Sequence, residues 1–423
     1  MGGFLWIFFL FLSFWPWEND SGQVQKSSLE FPQDPASATT LRVALFYEKT
    51  EVRIGIAGPY ELKSLPQEES LAEGSSLNLA LVRPDPSGIR VGPVLYRVSG
   101  LQIEGPAKEV RVEKRKYRNA IQVLKNPAGS LTVVNKIDVE DYLQGVVPSE
   151  TYPGWPAEAL KAQAVVSRTH AIFKNIKNKD LPFTLTSDVT TQVYGGKTAE
   201  APAANRAVKE TRGEILTYRG KIFPAFFSST CGGRTTRADF QWKIEPHPSL
   251  KGVECTFCQG SKYFNWKADL SGAEIEGRLR KKGFAVTGIQ KIVPEEIDRS
   301  GRPRFFLIQH AGGSLKIPAN SFRLAVGPNL MRSTKVKIDP SGDPFHFQGR
   351  GWGHGVGLCQ FGAKRLAELG YGYREILRYY YPESEIQNLE EKIGEGAPLP
   401  PASREENILK GWFKKAKTYL EEL

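Results

Sequence analysis

The 423-residue sequence lacks several features that mark common protein classes. It has only five histidines and no His-Glu-x-x-His motif, so the usual ligand pattern of a zinc hydrolase is missing. Beyond the first residues, no apolar run approaches the ~20 residues that a membrane-spanning helix needs. No internal repeat and no nucleic-acid-binding motif are apparent. These absences argue against a zinc hydrolase, a multispanning membrane protein and a nucleic-acid-binding protein.

The charge bears on the binding partners, and the composition and length bear on the core and the number of units. Lys and Arg number 57 and Asp and Glu 46, which gives a net charge of +11 and predicts attraction to nucleic acid, anionic lipid or anionic cell-wall polymer. The densest basic cluster, at 114–118, is short and is interpreted as a solvated strand or loop. The hydrophobic content of 40% can supply a sizeable core, and the length predicts two or three units with one dominant.

The two ends of the chain carry apolar segments. Residues 4–15 form an apolar run of signal-peptide length before Pro16, so residues 1–17 are expected to be a signal peptide or anchor. No Lys or Arg precedes the run and no clear cleavage site follows it, so a buried N-terminal segment is the alternative. An amphipathic helix is predicted over 405–423. It would dock on its own protein or contact a membrane surface or a partner.

Between these ends the sequence predicts an α+β fold. Polar residues with Pro and Ser at 18–40 indicate a linker. Short alternating patterns at 42–47, 52–56, 89–91 and 110–112 predict a β-rich N-terminal region over 41–125. A main domain follows over 126–390, and Gly and Pro from 394 predict a linker before the C-terminal helix, within 391–423.

Two helices are predicted around a single glutamate in the main domain. Asp138 is a plausible N-cap for a helix whose apolar residues repeat every three or four positions up to Val147, and Pro148 is expected to end it. A second helix is expected from Pro156, because proline is tolerated as the first helical residue. Glu150 would then lie in the short connection between the helices, where a carboxylate can be held in place without entering the core.

Three long segments of the main domain stand out. They are 139–150 with 154–169, then 192–196 with 211–214 and 227–235, then 349–363 with 379–382. Together, and in this order, they resemble the stage II sporulation protein D (SpoIID) family. The resemblance spans roughly residues 126 to 388.

The resemblance implies a lytic transglycosylase of peptidoglycan, exported to the cell envelope, either the periplasm or the outer face of the cytoplasmic membrane. Family members act on glycan strands whose stem peptides have been removed, together with an amidase. Glu150, at the end of a Val-Pro-Ser-Glu motif, matches the catalytic acid/base. The alternative is a non-catalytic wall-binding enhancer of an N-acetylmuramoyl-L-alanine amidase, which could lack the glutamate.

The matching motifs also supply candidates for the cleft and a reserve acid. The residues expected to line a glycan cleft are Gln192, Tyr194, Ser229, Thr230, His354 and Gln360. His354 has two interpretations, a substrate contact or a residue that fixes the Gly-rich turn at 349–357. Asp188 is the reserve acid. The chain departs from the family pattern at Phe227, where His is common, and at Cys359, where Ser is usual.

The four cysteines predict either a metal site or disulfides. Cys255 and Cys258 are separated by two residues, and Cys231 lies upstream in a Cys-Gly-Gly turn. With His247 they would complete a closed, structural zinc site, which family members can carry in this region. A disulfide is the alternative in an exported protein. Cys359 is expected to be a small packing residue. No organic cofactor is expected.

Overall fold

The computed structural model describes residues 24–32, 35–339 and 342–389. One compact unit extends to Asn388. The predicted signal peptide or anchor at 1–17 and the predicted helix at 405–423 lie outside the described residues. Among the described residues, no helix has the length and apolar character needed to cross a membrane.

The first third of the chain is built from antiparallel strands, preceded by a one-turn helix, α1 (Pro35–Thr39). The strands confirm the four alternating patterns of the sequence. They are β1 (Thr40–Lys49), β2 (Val52–Ile56), β3 (Tyr60–Ser64), β4 (Ser70–Gly74), β5 (Leu77–Asp85), β6 (Gly88–Val91), β7 (Val94–Tyr96), β8 (Gly100–Glu104), β9 (Glu109–Val112), β10 (Arg115–Arg118), β11 (Ala120–Lys125) and β12 (Leu131–Asp138).

These strands form two sheets, with order β13-β1-β12-β11-β8-β3-β4 and β10-β9-β2-β5-β6-β7, where β13 is Leu185–Thr186. β1 pairs antiparallel with β12 from Thr40 opposite Asp138. The boundary expected near residue 125 therefore falls between neighbouring strands of one sheet. Residues 24–32 also make ordered contacts, since Leu29 exchanges backbone hydrogen bonds with Ile222.

Helices pack on the sheet where β12 ends. The two that carry the family motif are α2 (Val139–Glu150) and α3 (Ala157–Lys177). Leu143 and Val146 of α2 are buried, and each contributes roughly 1.5–3 kcal/mol by leaving water. The later helices are α4 (Pro202–Glu210), α5 (Ala238–Gln241), α6 (Gly272–Arg280), α7 (Ala319–Val326), α8 (Gln360–Glu368) and α9 (Tyr373–Tyr380).

The expectation that Pro148 ends the helix is wrong by two residues. α2 continues to Glu150, with Pro148 inside it. Proline removes one backbone donor, but neighbouring groups hold the last turn: Ser149 Oγ donates to Gly145 O at 2.7 Å, and the backbone N–H of Thr151 donates to Val147 O at 3.0 Å. Glu150 is therefore the last residue of a helix rather than part of a loop.

The remaining strands are short and surround two further cores. They are β14 (Glu214–Tyr218), β15 (Lys221–Ile222), β16 (Phe227–Ser228), β17 (Asn265–Leu270), β18 (Ile289–Ile297), β19 (Pro303–His310), β20 (Gly313–Pro318), β21 (Val336–Ile338), β22 (Phe345–Arg350), β23 (Leu358–Cys359) and β24 (Glu385–Asn388). Pro224, which lacks a backbone donor, falls between β15 and β16.

One of these cores lies against α3, and the other is formed by the segment between β17 and β22. The first includes Val165, Phe223, Leu358 and Leu377. The second includes Trp266, Phe306 and Phe322 and is enclosed by α6, α7 and two three-stranded sheets. Helices and several separate sheets together confirm the predicted α+β fold class.

Candidate functional site

Glu150 is positioned by the packing of α2 against α3. The side chain of Asp138 accepts from Glu140 N at 2.9 Å and caps α2 at its start. Glu140 in turn binds Arg168 of α3 through two bonds of 2.7 and 2.8 Å. Arg168 is fully buried and also donates to Glu214 O at 3.0 Å. Arg168 therefore joins α2, α3 and β14.

The Glu150 carboxyl group is held by donors from two other segments. The backbone N–H of Val193 donates to Oε1 at 2.6 Å. Gln360, the first residue of α8, donates a side-chain hydrogen bond to the carboxyl group and also reaches Glu150 O at 3.2 Å. These contacts bring the three family segments of the sequence to one carboxylate.

Burial raises the pKa of Glu150 to about 7, because desolvation disfavours the charged form. The hydrogen bonds from Val193 N–H and Gln360 act in the opposite direction, since they stabilise the carboxylate. The residue as a whole is half-buried. Glu150 can therefore carry or release a proton near neutral pH.

A buried chain of amides and hydroxyls surrounds this carboxyl group. Gln360 Nε2 donates to Gln163 Oε1 at 3.3 Å, and Gln163 Nε2 donates to Ser167 Oγ at 2.9 Å. Gln192 Nε2 donates to Ser167 O at 3.3 Å and Gln192 Oε1 accepts from Tyr142 OH at 3.3 Å. These side chains satisfy one another, which fixes the backbone and side-chain donors around Glu150.

The structure therefore places several predicted cleft residues in the interior. Gln192 is fully buried, and Tyr194 is 1% exposed with its hydroxyl donating to Asn135 Oδ1 at 2.8 Å. Thr230 is fully buried and its hydroxyl contacts Ser261 Oγ at 3.1 Å. Gln360 is 6% exposed. These positions correct the expectation that the four residues line a cleft. They lie in the interior and support the site from there.

Ser229 and His354 have different surroundings. Ser229 is half-buried, and its carbonyl accepts from Phe361 N at 3.0 Å, beside the start of α8. His354 Nδ1 accepts from Val356 N at 3.0 Å, and its ring lies edge-on to Trp242 at 5.0 Å. Burial lowers the pKa of His354 to about 3, so it is neutral. These contacts fix the Gly-rich turn, the second of the two interpretations.

Asp188 belongs to a turn beside β13. Its Oδ1 accepts from Thr186 Oγ1 and from Thr190 N, both at 2.9 Å, which closes the turn. The side chain is exposed. Across residues 24–32, 35–339 and 342–389, the groups that shift the pKa of Glu150 include no second carboxylate. Among the described residues, therefore, no second carboxylate is found to influence the titration of Glu150.

The four cysteines converge in the core beneath α8. The Sγ atoms of Cys231, Cys255, Cys258 and Cys359 all lie within 4.8 Å of one another, and all four residues are buried. The thiols are free, and Sγ of Cys231 and Cys258 are 3.6 Å apart. Four thiolates around Zn²⁺ at about 2.3 Å would place sulfurs roughly 3.8 Å apart. The donor set therefore fits a closed tetrahedral metal site and not a disulfide.

Cys359 replaces His247 in this cluster, which corrects two sequence expectations. His247 Nδ1 accepts from Ser249 N at 3.2 Å, and its ring stacks on Phe223 at 4.7 Å, so this histidine packs in the core. Cys359 reaches the other thiols because β23 pairs parallel with β16, opposite Ser228. The signal that could have identified it is the count itself, since a fourth cysteine completes a set of four thiolate ligands.

Basic groups and backbone donors surround the thiols. Cys231 N donates to Cys359 Sγ at 3.2 Å. Fully buried Arg302 donates to Cys231 O at 2.6 Å, and Lys335 Nζ donates to Gly232 O at 2.9 Å. Gly355 has φ of +78°, and a Cβ there would lie 2.4 Å from the Arg302 guanidinium. The Gly-rich turn therefore makes room for a buried cation beside the four cysteines.

A row of aromatic rings beside Glu150 was missed from the sequence. Trp155 contacts Phe361 edge-on at 5.1 Å, Phe361 contacts Tyr263 at 5.7 Å, and Tyr263 contacts Trp352 at 4.5 Å. We call these four half-buried side chains the aromatic strip. They are dispersed in the sequence. Trp155, Trp352 and Phe361 lie within the family segments, which is the signal that could have pointed to them, whereas Tyr263 lies outside those segments.

Two family models match the chain. The one described as Stage II sporulation protein matches residues 127–218, which include Glu150 and Val193. A domain of unknown function matches residues 250–357, which include two of the clustered cysteines and two members of the aromatic strip.

Several curated proteins are similar over long stretches. An uncharacterized protein of Brachyspira hyodysenteriae is 32% identical over 82% of this chain and 92% of its own length. Stage II sporulation protein D of Bacillus subtilis is 29% identical over 60% of this chain and 75% of its own length. The amidase enhancer of Bacillus subtilis is 27% identical over 57% of this chain and 39% of its own length. With these matches and the motifs assembled around one glutamate, the chain belongs to the stage II sporulation protein D family.

Proposed function

We propose that the protein is a lytic transglycosylase that cleaves peptidoglycan glycan strands stripped of their stem peptides, with Glu150 as general acid and base. The observation that carries this proposal is a single glutamate whose pKa is raised to about 7 by burial and whose carboxyl group is fixed by Val193 N–H and Gln360. An acid with such a pKa is suited to proton transfer at neutral pH.

The reaction needs only one carboxyl group. Protonated Glu150 gives its proton to the glycosidic oxygen as the bond from the anomeric carbon of the muramic acid breaks. The resulting carboxylate then takes the proton of the muramic acid's own 6-hydroxyl, whose oxygen bonds to the anomeric carbon and forms the 1,6-anhydro ring. The nucleophile is tethered, so proximity replaces the second carboxylate of ordinary glycosidases.

The clustered cysteines are proposed to hold a structural zinc ion. Cys231, Cys255, Cys258 and Cys359 would supply all four ligands, which leaves no open position for substrate. When bound, the ion would cross-link three segments of the chain. The residue adjacent to Cys359 is Gln360, so the cluster would also steady the donor that binds Glu150.

Location and partners follow from the proposed reaction. The substrate implies export to the cell envelope, with the N-terminal segment as signal peptide or anchor and the C-terminal helix as a membrane-surface or protein contact. An amidase that removes stem peptides would supply the substrate. The domain limits of 41–125 and 126–390 are retained as proposals.

The test is mass spectrometry of the products formed from peptide-free glycan strands. We expect 1,6-anhydro-muramyl ends from the wild type and from Asp188→Asn, and at least about a hundredfold less from Glu150→Gln, because an amide cannot transfer the proton. Equal product from Glu150→Gln would remove Glu150 from the mechanism.

A second candidate function is enhancement of an amidase without cleavage. The similarity to the amidase enhancer of Bacillus subtilis favours it. This function would be supported if the wild type bound the strands, stimulated an N-acetylmuramoyl-L-alanine amidase and released no anhydro product. The Glu150→Gln variant should then bind and stimulate to the same extent.

A further inference from the structure

The aromatic strip ends at two cations that have no acidic neighbour among the described residues. The Arg332 guanidinium lies over the rings of Trp352 at 5.2 Å and Tyr263 at 6.0 Å, and Lys262 Nζ lies over Tyr263 at 5.0 Å. Within the described ranges, neither cation has a carboxylate within 4 Å, although many other lysines and arginines of the chain do. The strip thus combines exposed ring surface with unneutralised positive charge.

The rings also keep their polar atoms available. In the part of the chain covered by the structure, no hydrogen bond engages the indole N–H of Trp155 or of Trp352, or the hydroxyl of Tyr263. All are half-buried side chains with one apolar surface and one polar tip, which suits ligands that present both carbon–hydrogen faces and hydroxyls. A sugar ring is such a ligand.

The strip leads to the catalytic glutamate. Phe361 follows Gln360, which binds Glu150, and Trp155 lies in the connection between Glu150 and α3. At the other end, Tyr263, Arg332 and Trp352 come from the segment that matches a domain of unknown function. This segment therefore contributes one end of a surface whose other end is the proposed site of cleavage.

We propose that the aromatic strip with Arg332 and Lys262 is an extended glycan-binding surface selective for strands that carry free lactyl carboxylates. The proposal rests on the proposed function and deepens it by naming what selects the substrate. Removal of the stem peptide leaves each muramic acid with a carboxylate in place of an amide. Sugar rings would lie against the aromatic side chains while the carboxylate pairs with Arg332, with Lys262 adding attraction.

This assignment explains how one surface would distinguish stripped from peptide-bearing strands. A guanidinium held over two rings is less hydrated than one in free solution, so its pairing with a carboxylate is stronger than that of an extended surface arginine. A strand that still carries peptides offers amides at the same positions and adds bulk. A chitin oligosaccharide offers the same sugar backbone with no carboxylate.

The experiment measures binding in the Glu150→Gln background, so that no strand is cut. Dissociation constants are determined for peptide-free glycan strands, for the same strands with lactyl carboxylates converted to methylamides, and for a chitin oligosaccharide of matched length. We expect the free-carboxylate strands to bind at least about tenfold tighter than the other two. Arg332→Gln should reduce the preference for free-carboxylate strands by about tenfold, and Lys262→Gln should reduce it by a smaller factor.

The matched control is Arg304→Gln. Arg304 also lies over an aromatic ring, Phe305 at 5.8 Å, but it has Glu296 as an acidic neighbour at 3.9 Å and belongs to β19. The Arg304→Gln variant should leave all three dissociation constants unchanged. Arg332→Lys should restore part of the preference, which separates loss of charge from loss of packing, and thermal melting of each variant checks that it is folded.

Equal affinity of the wild type for the free-carboxylate and methylamide strands overturns the proposal, as does an unchanged preference in folded Arg332→Gln. Equal competition by poly-glutamate would also overturn it, because the surface would then be a general anion patch. Failure here is distinct from failure of the proposed function. If no anhydro product forms but the preference depends on Arg332, only the proposed cleavage is rejected. If product formation depends on Glu150 but the preference is missing, only the proposed binding surface is rejected.

Discussion

At the scale of single residues, the protonation of Glu150 links the stability of the fold to the proposed activity. Its pKa is raised from about 4.5 to about 7 in the folded protein, chiefly by desolvation. The neutral form is therefore the one that the fold accommodates. The stabilisation from this group is fully present below about pH 4.5 and is lost as the pH rises through about 7. The pH range of the proposed general acid has the same upper limit.

We predict that Glu150→Gln has little effect on the melting temperature at about pH 4.5 and raises it at about pH 8. The amide resembles the protonated acid and avoids the cost of burying a carboxylate, which amounts to about 1–3 kcal/mol above about pH 7. Differential scanning calorimetry of both proteins across this pH range measures the difference. A difference that does not grow with pH would mean that the Glu150 carboxylate is well solvated.

Gln360 should act as a positioning residue with a measurable effect on the same titration. Its hydrogen bond lowers the pKa of Glu150, so Gln360→Leu should raise that pKa and move the alkaline limb of the pH–rate profile upwards by about half a unit to one unit. The maximal rate should also fall, because the carboxyl group loses one of its supports. Gln309→Leu, on the exposed face of β19, is the control and should leave the profile in place.

At the scale of secondary-structure elements, the Arg168–Glu140 pair decides how α2 and α3 meet. Both partners are buried, and the Gly213 backbone N–H also binds Glu140, at 3.2 Å. Removing one partner leaves a buried charge without compensation. We predict that Arg168→Leu lowers the free energy of unfolding by about 3–5 kcal/mol, measured by denaturant titration.

The comparison for this prediction is Arg280→Gln, which breaks the exposed pair with Glu276 in α6. An exposed pair four residues apart contributes about 0.3–0.5 kcal/mol, so this variant should unfold almost as the wild type does. A cost of under about 1 kcal/mol for Arg168→Leu would show that the buried pair is replaceable and that hydrophobic packing alone orients the two helices.

At the scale of elements, local sequence pattern predicted several strands and helices. The remaining features depend on tertiary packing, which the pattern does not reveal. The alternation at 42–47 and the apolar spacing of α2 were sufficient, because burial on one face imposes them. Pro148 was misjudged because a lost backbone donor near a helix end is compensated by Ser149 and Thr151, a compensation that pattern alone does not reveal. Glu150 was selected as a candidate through its motif. The inward positions of Gln192 and Tyr194 depend on the packing of α2, which motif membership does not specify.

At the scale of the whole molecule, residues distant in the chain meet at two places. Cys231 and Cys359 are brought together by the parallel pairing of β16 with β23, and Tyr263 meets Phe361 beside α8. Such contacts carry no local periodicity, so the sequence pattern favoured His247 as a metal ligand and Cys359 as a packing residue. A count of four cysteines was a better guide than proximity along the chain.

The proposed metal site gives a prediction that connects distant parts of the molecule. Protein purified from zinc-containing medium should hold about one zinc per chain by elemental analysis. Cys359→Ser should lose the metal and melt at a lower temperature, because the ion's cross-link between three segments disappears. Since Gln360 follows Cys359 and binds Glu150, the same variant should also form less anhydro product.

His247→Gln is the discriminating control, because it alters the residue first expected to be the fourth ligand. It should keep the zinc, since the four sulfur ligands are untouched and His247 is occupied by Ser249 and Phe223. Loss of zinc from His247→Gln with retention in Cys359→Ser would restore the original ligand set. Zinc retained by both variants would place the metal elsewhere and leave the four thiols as packing residues of the core.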